Sequence, residues 1–310
     1  MKLWKLVSGG VVAAVVSFGG APAAQAACPP DMPCPPPGTL PTVDMAAVVR
    51  AATLDPARSD RVTTDGAADD VKIVKRALVA EGFLPASTTI DGYFGTAIVA
   101  GWGRFERSRG ENDIWTNNGL PGLQELQALA PGRFRLVNAY DVGGRTTVDG
   151  ETVNARTKAM FLEADRLAPG ASMTVIQGSY CGSGCASASA ETHSGGGAID
   201  IRSRDVSDTV NNQRVAALRK VGFAAWFRHT GSFAGNQHIH ALAINDYQAS
   251  WAAYGVDTAP GSVTANYGGN CQIFEFKFLK DGLGGCNDRP RSTAAQITPL
   301  VTWEKYLASH

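Results

Sequence analysis

The sequence has no excess of either charge and no apolar run long enough to span a membrane. Its 310 residues include 28 Lys and Arg and 28 Asp and Glu, so the formal net charge is zero. Nucleic acids and anionic membranes select clustered positive charge, and the balance argues against both as main partners. With 44% hydrophobic and 18% charged residues, the chain is predicted to be globular, with about two domains. We expect it to be a monomer.

The apolar stretch near the N-terminus indicates export rather than a membrane anchor. Lys2 and Lys5 precede the apolar residues 11–18, and Ala24 and Ala26 occupy the small-residue positions of a cleavage site. The stretch is too short for a transmembrane helix. Residues 1–26 are therefore predicted to be a signal peptide, and the mature protein to be extracellular or associated with the cell wall.

Cysteines are few, and they fall into three pairs that are local in the sequence. In an exported chain such pairs predict disulfides. The predicted pairs are Cys28–Cys34, Cys181–Cys185 and Cys271–Cys286. Two alternatives stay open: lipidation at Cys28, where Gln25 stands in place of an aliphatic residue, and metal binding by Cys181 and Cys185.

Composition and periodicity divide the mature chain into four regions. A Pro-rich linker is predicted over 27–60 and a small helical module over 61–130, with a stop at Gly82 and an Asp91-Gly92 turn between two helices. Helices and strands without regular alternation follow over 131–258, which predicts an α+β domain with a small antiparallel sheet. Residues 259–310 form an extension without an assignable pattern.

The segment "THSGGGAIDIRS", residues 192–203, has the composition of a site. Three consecutive glycines cost backbone entropy, so they indicate positive φ or close approach. The residues that follow alternate like a half-buried strand, with Ile199 and Ile201 on one face and Asp200 on the other. His193 is expected to fold back beside Asp200.

Histidine is also scarce, yet a second segment carries two of the five in the chain. In "QHIH", residues 237–240, a strand places His238 and His240 on one face and Ile239 in the core. Two imidazoles and a carboxylate are a ligand set of catalytic zinc, with a fourth position left for water. Asp200 and the histidines His193, His238 and His240 are therefore candidate ligands of a Zn²⁺ ion.

The helical module resembles peptidoglycan-binding modules. These have a "DGxFG" turn ahead of a helix that ends in "FQ". Here the turn comprises residues 91–95, and the helix ends in Phe105-Glu106, with Glu in place of Gln. The resemblance implies that bacterial peptidoglycan is the partner.

Residues 133–250 resemble the zinc D-alanyl-D-alanine carboxypeptidases and related peptidoglycan endopeptidases, which share a fold with the hedgehog signalling domain. The pattern H-x-x-G-x-A-x-D is met by His193, Gly196, Ala198 and Asp200, and the later histidine by His240. The resemblance implies a secreted zinc metallopeptidase in which the donor atoms of His193, Asp200 and His240 converge on a Zn²⁺ ion. It would hydrolyse amide bonds in peptidoglycan stem or cross-link peptides, as a D,D-carboxypeptidase or an endopeptidase.

Two departures from that family leave the catalytic assignments open. Gln237 stands where many members have an acidic general base, and His238 is then the candidate catalytic residue, as base or oxyanion stabiliser. The Arg of the family's "SGYR" segment is absent, and Arg202 and Arg228 are possible substitutes. The candidate substrate-binding residues are Gln177, Ser179, Arg228 and Gln237.

Two other functions remain compatible with the sequence. The chain could be a non-catalytic wall-binding protein that keeps zinc for stability and has lost its base at Gln237. It could also be a zinc-free secreted scaffold.

Overall fold

The computed structural model describes residues 38–58, 61–113, 115–181, 192–250, 268–277 and 300–310. The predicted signal peptide lies outside these residues, as do Cys28, Cys34, Cys185, Cys286 and the side chain of Cys271. The three disulfide pairings therefore stay predictions. No helix among the described residues has the length and apolar character needed to cross a membrane.

The described chain contains eight helices and eight strands. The helices are α1 (Met45–Leu54), α2 (Ala68–Ala80), α3 (Thr96–Ser108), α4 (Leu123–Leu129), α5 (Ala155–Leu167), α6 (Asp208–Lys220), α7 (Gly268–Lys277) and α8 (Trp303–Ser309). The strands are β1 (Thr42–Asp44), β2 (Arg135–Val137), β3 (Arg145–Val148), β4 (Glu151–Asn154), β5 (Val175–Gln177), β6 (Ala198–Arg202), β7 (Phe223–Arg228) and β8 (His238–Ala243). This mixture confirms the predicted α+β class.

A four-stranded antiparallel sheet in the order β5-β6-β8-β7 is the centre of the fold. One face carries Ile199, Ile201, Ile239 and Phe223, which are buried with apolar residues of α5 and α6. Side chains alternate along a strand, so the residues between them lie on the other face. There Asp200 is paired with His240, which is paired with Trp226 in the third strand. The phase predicted from the sequence for β6 and β8 is confirmed.

The predicted pair of helices in the N-terminal module is also present. Helices α2 and α3 flank the Asp91-Gly92 turn, and Gly82 after α2 has a φ of +77°. Lys75 is buried and forms a salt bridge with Asp91. Phe94, from the turn itself, is fully buried. The Lys75–Asp91 salt bridge and the burial of Phe94 thus both stabilise the turn.

Residues 42–57 differ from the predicted linker. Instead of an extended spacer, they form β1, α1 and a short 3₁₀ turn. The Asp44 carboxylate caps α1 by accepting from the Ala47 amide at 3.0 Å, and Val48 and Val49 are fully buried. The Pro-rich composition ends at Pro41, and the apolar residues that follow can form a helix with a buried face.

The extension contributes two helices to the domain. Helix α7 packs against α1 and β7, and α8 places Tyr306 in the apolar cluster of the central sheet. At the start of α8, Glu304 forms a bidentate salt bridge with Arg156 of α5, with N–O distances of 2.7 and 3.0 Å. Sequence periodicity over segments this short gave no sign of either helix.

Candidate metal centre

The three glycines allow the His193 segment to press against a second segment of the chain. A Cβ on Gly195 would collide with the backbone of Gln248–Ser250, and one on Gly196 would lie 2.7 Å from the Tyr180 hydroxyl. Gly197 has a φ of +81°, which disfavours a side chain. Close approach at two positions and positive φ at the third therefore account for the three glycines. The resulting turn directs His193 back toward β6.

Asp200 is the centre of a cluster of imidazoles. Its Oδ1 lies 2.7 Å from Nδ1 of His240 and 3.3 Å from Nε2 of His193. The two histidine side chains are 1% exposed, whereas that of Asp200 is 12% exposed. One donor atom from each of the three residues lies within 4.8 Å of the other two. The predicted convergence of His193, Asp200 and His240 is confirmed, and this group could hold a metal ion.

The outer nitrogen of each ring also has a hydrogen-bond partner. His193 Nδ1 lies 2.7 Å from the Gly178 carbonyl oxygen, and His240 Nε2 lies 2.8 Å from Oε1 of Gln272. Both oxygens can only accept, so each of these nitrogens can carry a proton, which would leave the inner nitrogen free to bind a metal ion. The Asp200 oxygen also only accepts, so its contact with His240 at 2.7 Å requires either a proton or a cation between the two atoms.

The electrostatics of the cluster favour the protonation states of metal ligands. Burial would raise the pKa of Asp200, but the adjacent His193 and His240 rings outweigh it and hold this pKa well below its usual range. Burial also lowers the pKa of His240 to about 4, and the charge of Arg228 acts in the same direction. At neutral pH Asp200 is therefore a carboxylate and His240 is neutral, the forms that bind metals.

His238 lies beside the ligand group rather than within it. Its Nδ1 lies 2.7 Å from the Asn236 carbonyl oxygen, which leaves a lone pair on Nε2. That Nε2 lies 3.9 Å from the second carboxylate oxygen of Asp200. Phe233 packs edge-on against the ring, with centroids 5.5 Å apart. His238 is thus an oriented base at the edge of the candidate metal centre.

The candidate substrate-binding residues lie at different distances from the cluster. Gln177 is paired with Asp200 across β5 and β6, and Arg228 is paired with His238 across β7 and β8. Gln237 is half-buried directly before β8. Ser179 is buried, and its hydroxyl donates to the Ala198 carbonyl at 2.7 Å. The hydroxyl of Ser179 is therefore engaged with the backbone, whereas Gln177 and Arg228 flank the centre.

An open groove of about 690 Å³ is lined by residues of α6, β7 and the turn after β7, and its lining does not include His193, Asp200 or His240. Its wall includes Trp226, whose ring stacks on His240 with centroids 6.1 Å apart at 21°. The titratable groups among its described lining residues are Arg219, Arg228 and His229, and none is acidic. The groove is therefore suited to a ligand that carries a carboxylate.

Sequence reasoning missed two residues of the centre. Gln272 contacts His240 from α7, 32 residues farther along the chain, and no motif or periodicity marks it. Trp226 is not among the predicted site residues, although alternation along β7 places it on the same face as His240. The strand phase was the signal that could have identified Trp226.

Comparisons with known proteins add no assignment to this geometry. The chain matches no family model, no curated protein and no solved structure.

Proposed function

We propose that the protein is a secreted zinc metallopeptidase that hydrolyses amide bonds in peptidoglycan stem or cross-link peptides. The observation that carries the proposal is the convergence of Nε2 of His193, Nδ1 of His240 and Oδ1 of Asp200. Because two imidazole nitrogens and a carboxylate oxygen converge there, a cation bound between them would be coordinated by all three.

The donor set favours zinc among the common metals. Two imidazoles and one carboxylate form a three-ligand set of catalytic zinc, whereas calcium and magnesium prefer oxygen ligands alone. A bound zinc ion lowers the pKa of water and polarises a carbonyl oxygen. The exposed fraction of Asp200 and the adjacent His238 indicate the side from which substrate approaches.

His238 is the residue that we propose to move the proton. With Nδ1–H donating to Asn236, its Nε2 can accept a proton from an attacking water molecule and pass it to the leaving amine. Gln237, where relatives have an acid, cannot do this. The groove along β7 would hold the peptide, with Arg228 near a substrate carboxylate.

The N-terminal module supports a partner in the cell wall. Burial raises the pKa of Glu106 well above its usual value, and the side chain accepts from the Gly119 amide at 2.9 Å. A protonated Glu is neutral, as is the Gln found there in peptidoglycan-binding modules. The departure at this position is therefore chemically conservative, and we propose that the module binds peptidoglycan.

Gln237 also favours a second candidate function, that of a wall-binding protein which keeps zinc for stability alone. The two functions are distinguished by metal analysis paired with digestion of purified muropeptides. The enzyme binds one zinc ion per chain and releases amino acids or split peptides, and it loses this activity on chelation and regains it with zinc. Zinc binding without cleavage would establish the wall-binding alternative, and absence of zinc would refute both.

A further inference from the structure

Helix α7 forms one wall of the candidate metal centre. It packs against β7, against α1, and against the 3₁₀ turn Thr192–Ser194 that carries His193. Its Phe276 meets Trp226 edge-on, with centroids 5.7 Å apart, and Trp226 in turn stacks on His240. The extension thus reaches the centre on the side away from His238.

Among the described side chains of α7, Gln272 forms a hydrogen bond with the centre. Gln272 is 3% exposed, and its Oε1 lies 2.8 Å from Nε2 of His240. Its neighbours Ile273, Phe274 and Phe276 pack in an apolar cluster with residues such as Leu242. Those side chains anchor the helix through apolar contacts, whereas the Gln272 amide contributes a polar contact to His240.

The contact with Gln272 competes with the contact to Asp200 for the single proton of a neutral His240. If Nε2 holds the proton, Nδ1 presents its lone pair beside Asp200. Without an acceptor at Nε2, the proton would move to Nδ1 and donate to Asp200 Oδ1, only 2.7 Å away. A metal ion would then have to displace that proton. His193 has a comparable restraint in the Gly178 carbonyl, but for His240 the restraint comes from a distant part of the chain.

We infer that Gln272 is a positioning residue of the metal centre: it holds His240 in the Nε2–H tautomer, so the C-terminal extension determines metal affinity. The inference rests on the proposed zinc site. Outer hydrogen bonds of this kind orient ligand histidines, and their removal typically lowers metal affinity about 10–100-fold.

Three variants of the full chain separate this role from packing. Gln272→Leu removes the acceptor, Gln272→Glu keeps an acceptor, and Ile273→Ala weakens the packing of α7 without touching His240. Zinc affinity is measured by chelator competition, the cobalt-substituted spectrum reports ligand geometry, and urea unfolding reports stability. Nitrogen NMR of the histidine rings reads the tautomer of His240 directly.

We expect Gln272→Leu to lower zinc affinity about 10–100-fold and to shift the cobalt spectrum. Gln272→Glu should restore affinity to within a few-fold of wild type, although a buried carboxylate reduces stability. Ile273→Ala should reduce stability while zinc affinity stays within a few-fold. If zinc affinity falls in proportion to stability in all three variants, Gln272 contributes only to packing and the inference is wrong.

The tautomer gives an independent criterion. An Nδ1–H tautomer of His240 in the zinc-loaded wild type would overturn the inference. In that case Gln272 would donate its NH₂ group to Nε2 of His240, and His240 would donate Nδ1–H to Asp200. Wild-type affinity in Gln272→Leu would also overturn it while leaving the proposed function intact. A wild type that binds no zinc would overturn the proposed function first.

Discussion

Asp200 and His240 lie directly opposite each other in β6 and β8, with Oδ1 and Nδ1 2.7 Å apart. The neighbouring histidine rings keep Asp200 ionised, and burial keeps His240 neutral at neutral pH. The pair is therefore the minimum unit of the candidate centre, and His193 completes it from the glycine turn.

Loss of any one of these ligands should abolish tight metal binding. His193→Ala, Asp200→Asn and His240→Ala each leave an incomplete donor set, so zinc bound per chain should fall from about one to near zero. His229→Ala is the matched control, because His229 stacks on Phe227 rather than joining the ligand group. Metal analysis after dialysis measures the result. Retention of zinc by any of the three ligand variants would exclude that residue from the site.

His238 should affect catalysis rather than metal binding. His238→Ala removes the oriented base at 3.9 Å from Asp200 but none of the three ligands. We expect about 10²–10³-fold slower peptide cleavage with zinc still bound, measured by muropeptide release and metal content in the same preparation.

Gln237→Glu provides the converse test. If His238 is the base, a new carboxylate should change the cleavage rate little. An inactive wild type that gains cleavage through Gln237→Glu would identify the protein as a relic of a peptidase.

The glycine turn should be intolerant of any side chain. Gly195→Ala places a methyl group against the backbone of residues 248–250, which cannot move as a flexible side chain can. We expect a loss of about 2 kcal/mol or more in the free energy of unfolding, together with weaker zinc binding. Gly235→Ala is the control, because a Cβ there meets nothing within 4 Å and φ is not positive. Equal effects of the two changes in urea unfolding would contradict the role of the turn.

Asp70 should make the protein less stable as the pH rises through about 6. Burial raises the pKa of Asp70 to about 6, and the charges of Asp44 and Asp69 add to the shift, although the Asp44 amide donates to it. The folded pKa lies above the unfolded value, so the folded state prefers the protonated form. Its contribution is present below about pH 4 and is lost as the carboxyl ionises.

Asp70→Asn should therefore raise the free energy of unfolding at pH 7 by roughly 1 kcal/mol, a value reduced for solvent screening. At pH 4 it should have little effect. The exposed Asp113→Asn is the control. Urea unfolding from pH 4 to 8 measures both, and an equal gain at both pH values would refute the assignment.

The sequence predicted those features of the site that depend on the alternation of side chains along single strands. Because side chains alternate along β6 and β8, the sequence was sufficient to place Asp200, His238 and His240 on one face. The three glycines indicated that the chain turns back and brings His193 beside Asp200. Gln272 was beyond such reasoning, because its contact with His240 depends on how α7 docks. The secondary structure of residues 42–57 was missed because the predicted linker continued beyond the Pro-rich residues. It included an apolar segment that can form a helix.

The ion pair between Arg156 and Glu304 bears on the order in which the chain can fold. The Arg156 side chain is 2% exposed, and its carboxylate partner lies 148 residues later. Until residue 304 has been synthesised, closing the domain around α5 would bury a guanidinium without its counterion, which is costly. A nascent chain of 300 residues thus lacks the counterion of a buried charge, a delay that would suit the export proposed for this protein.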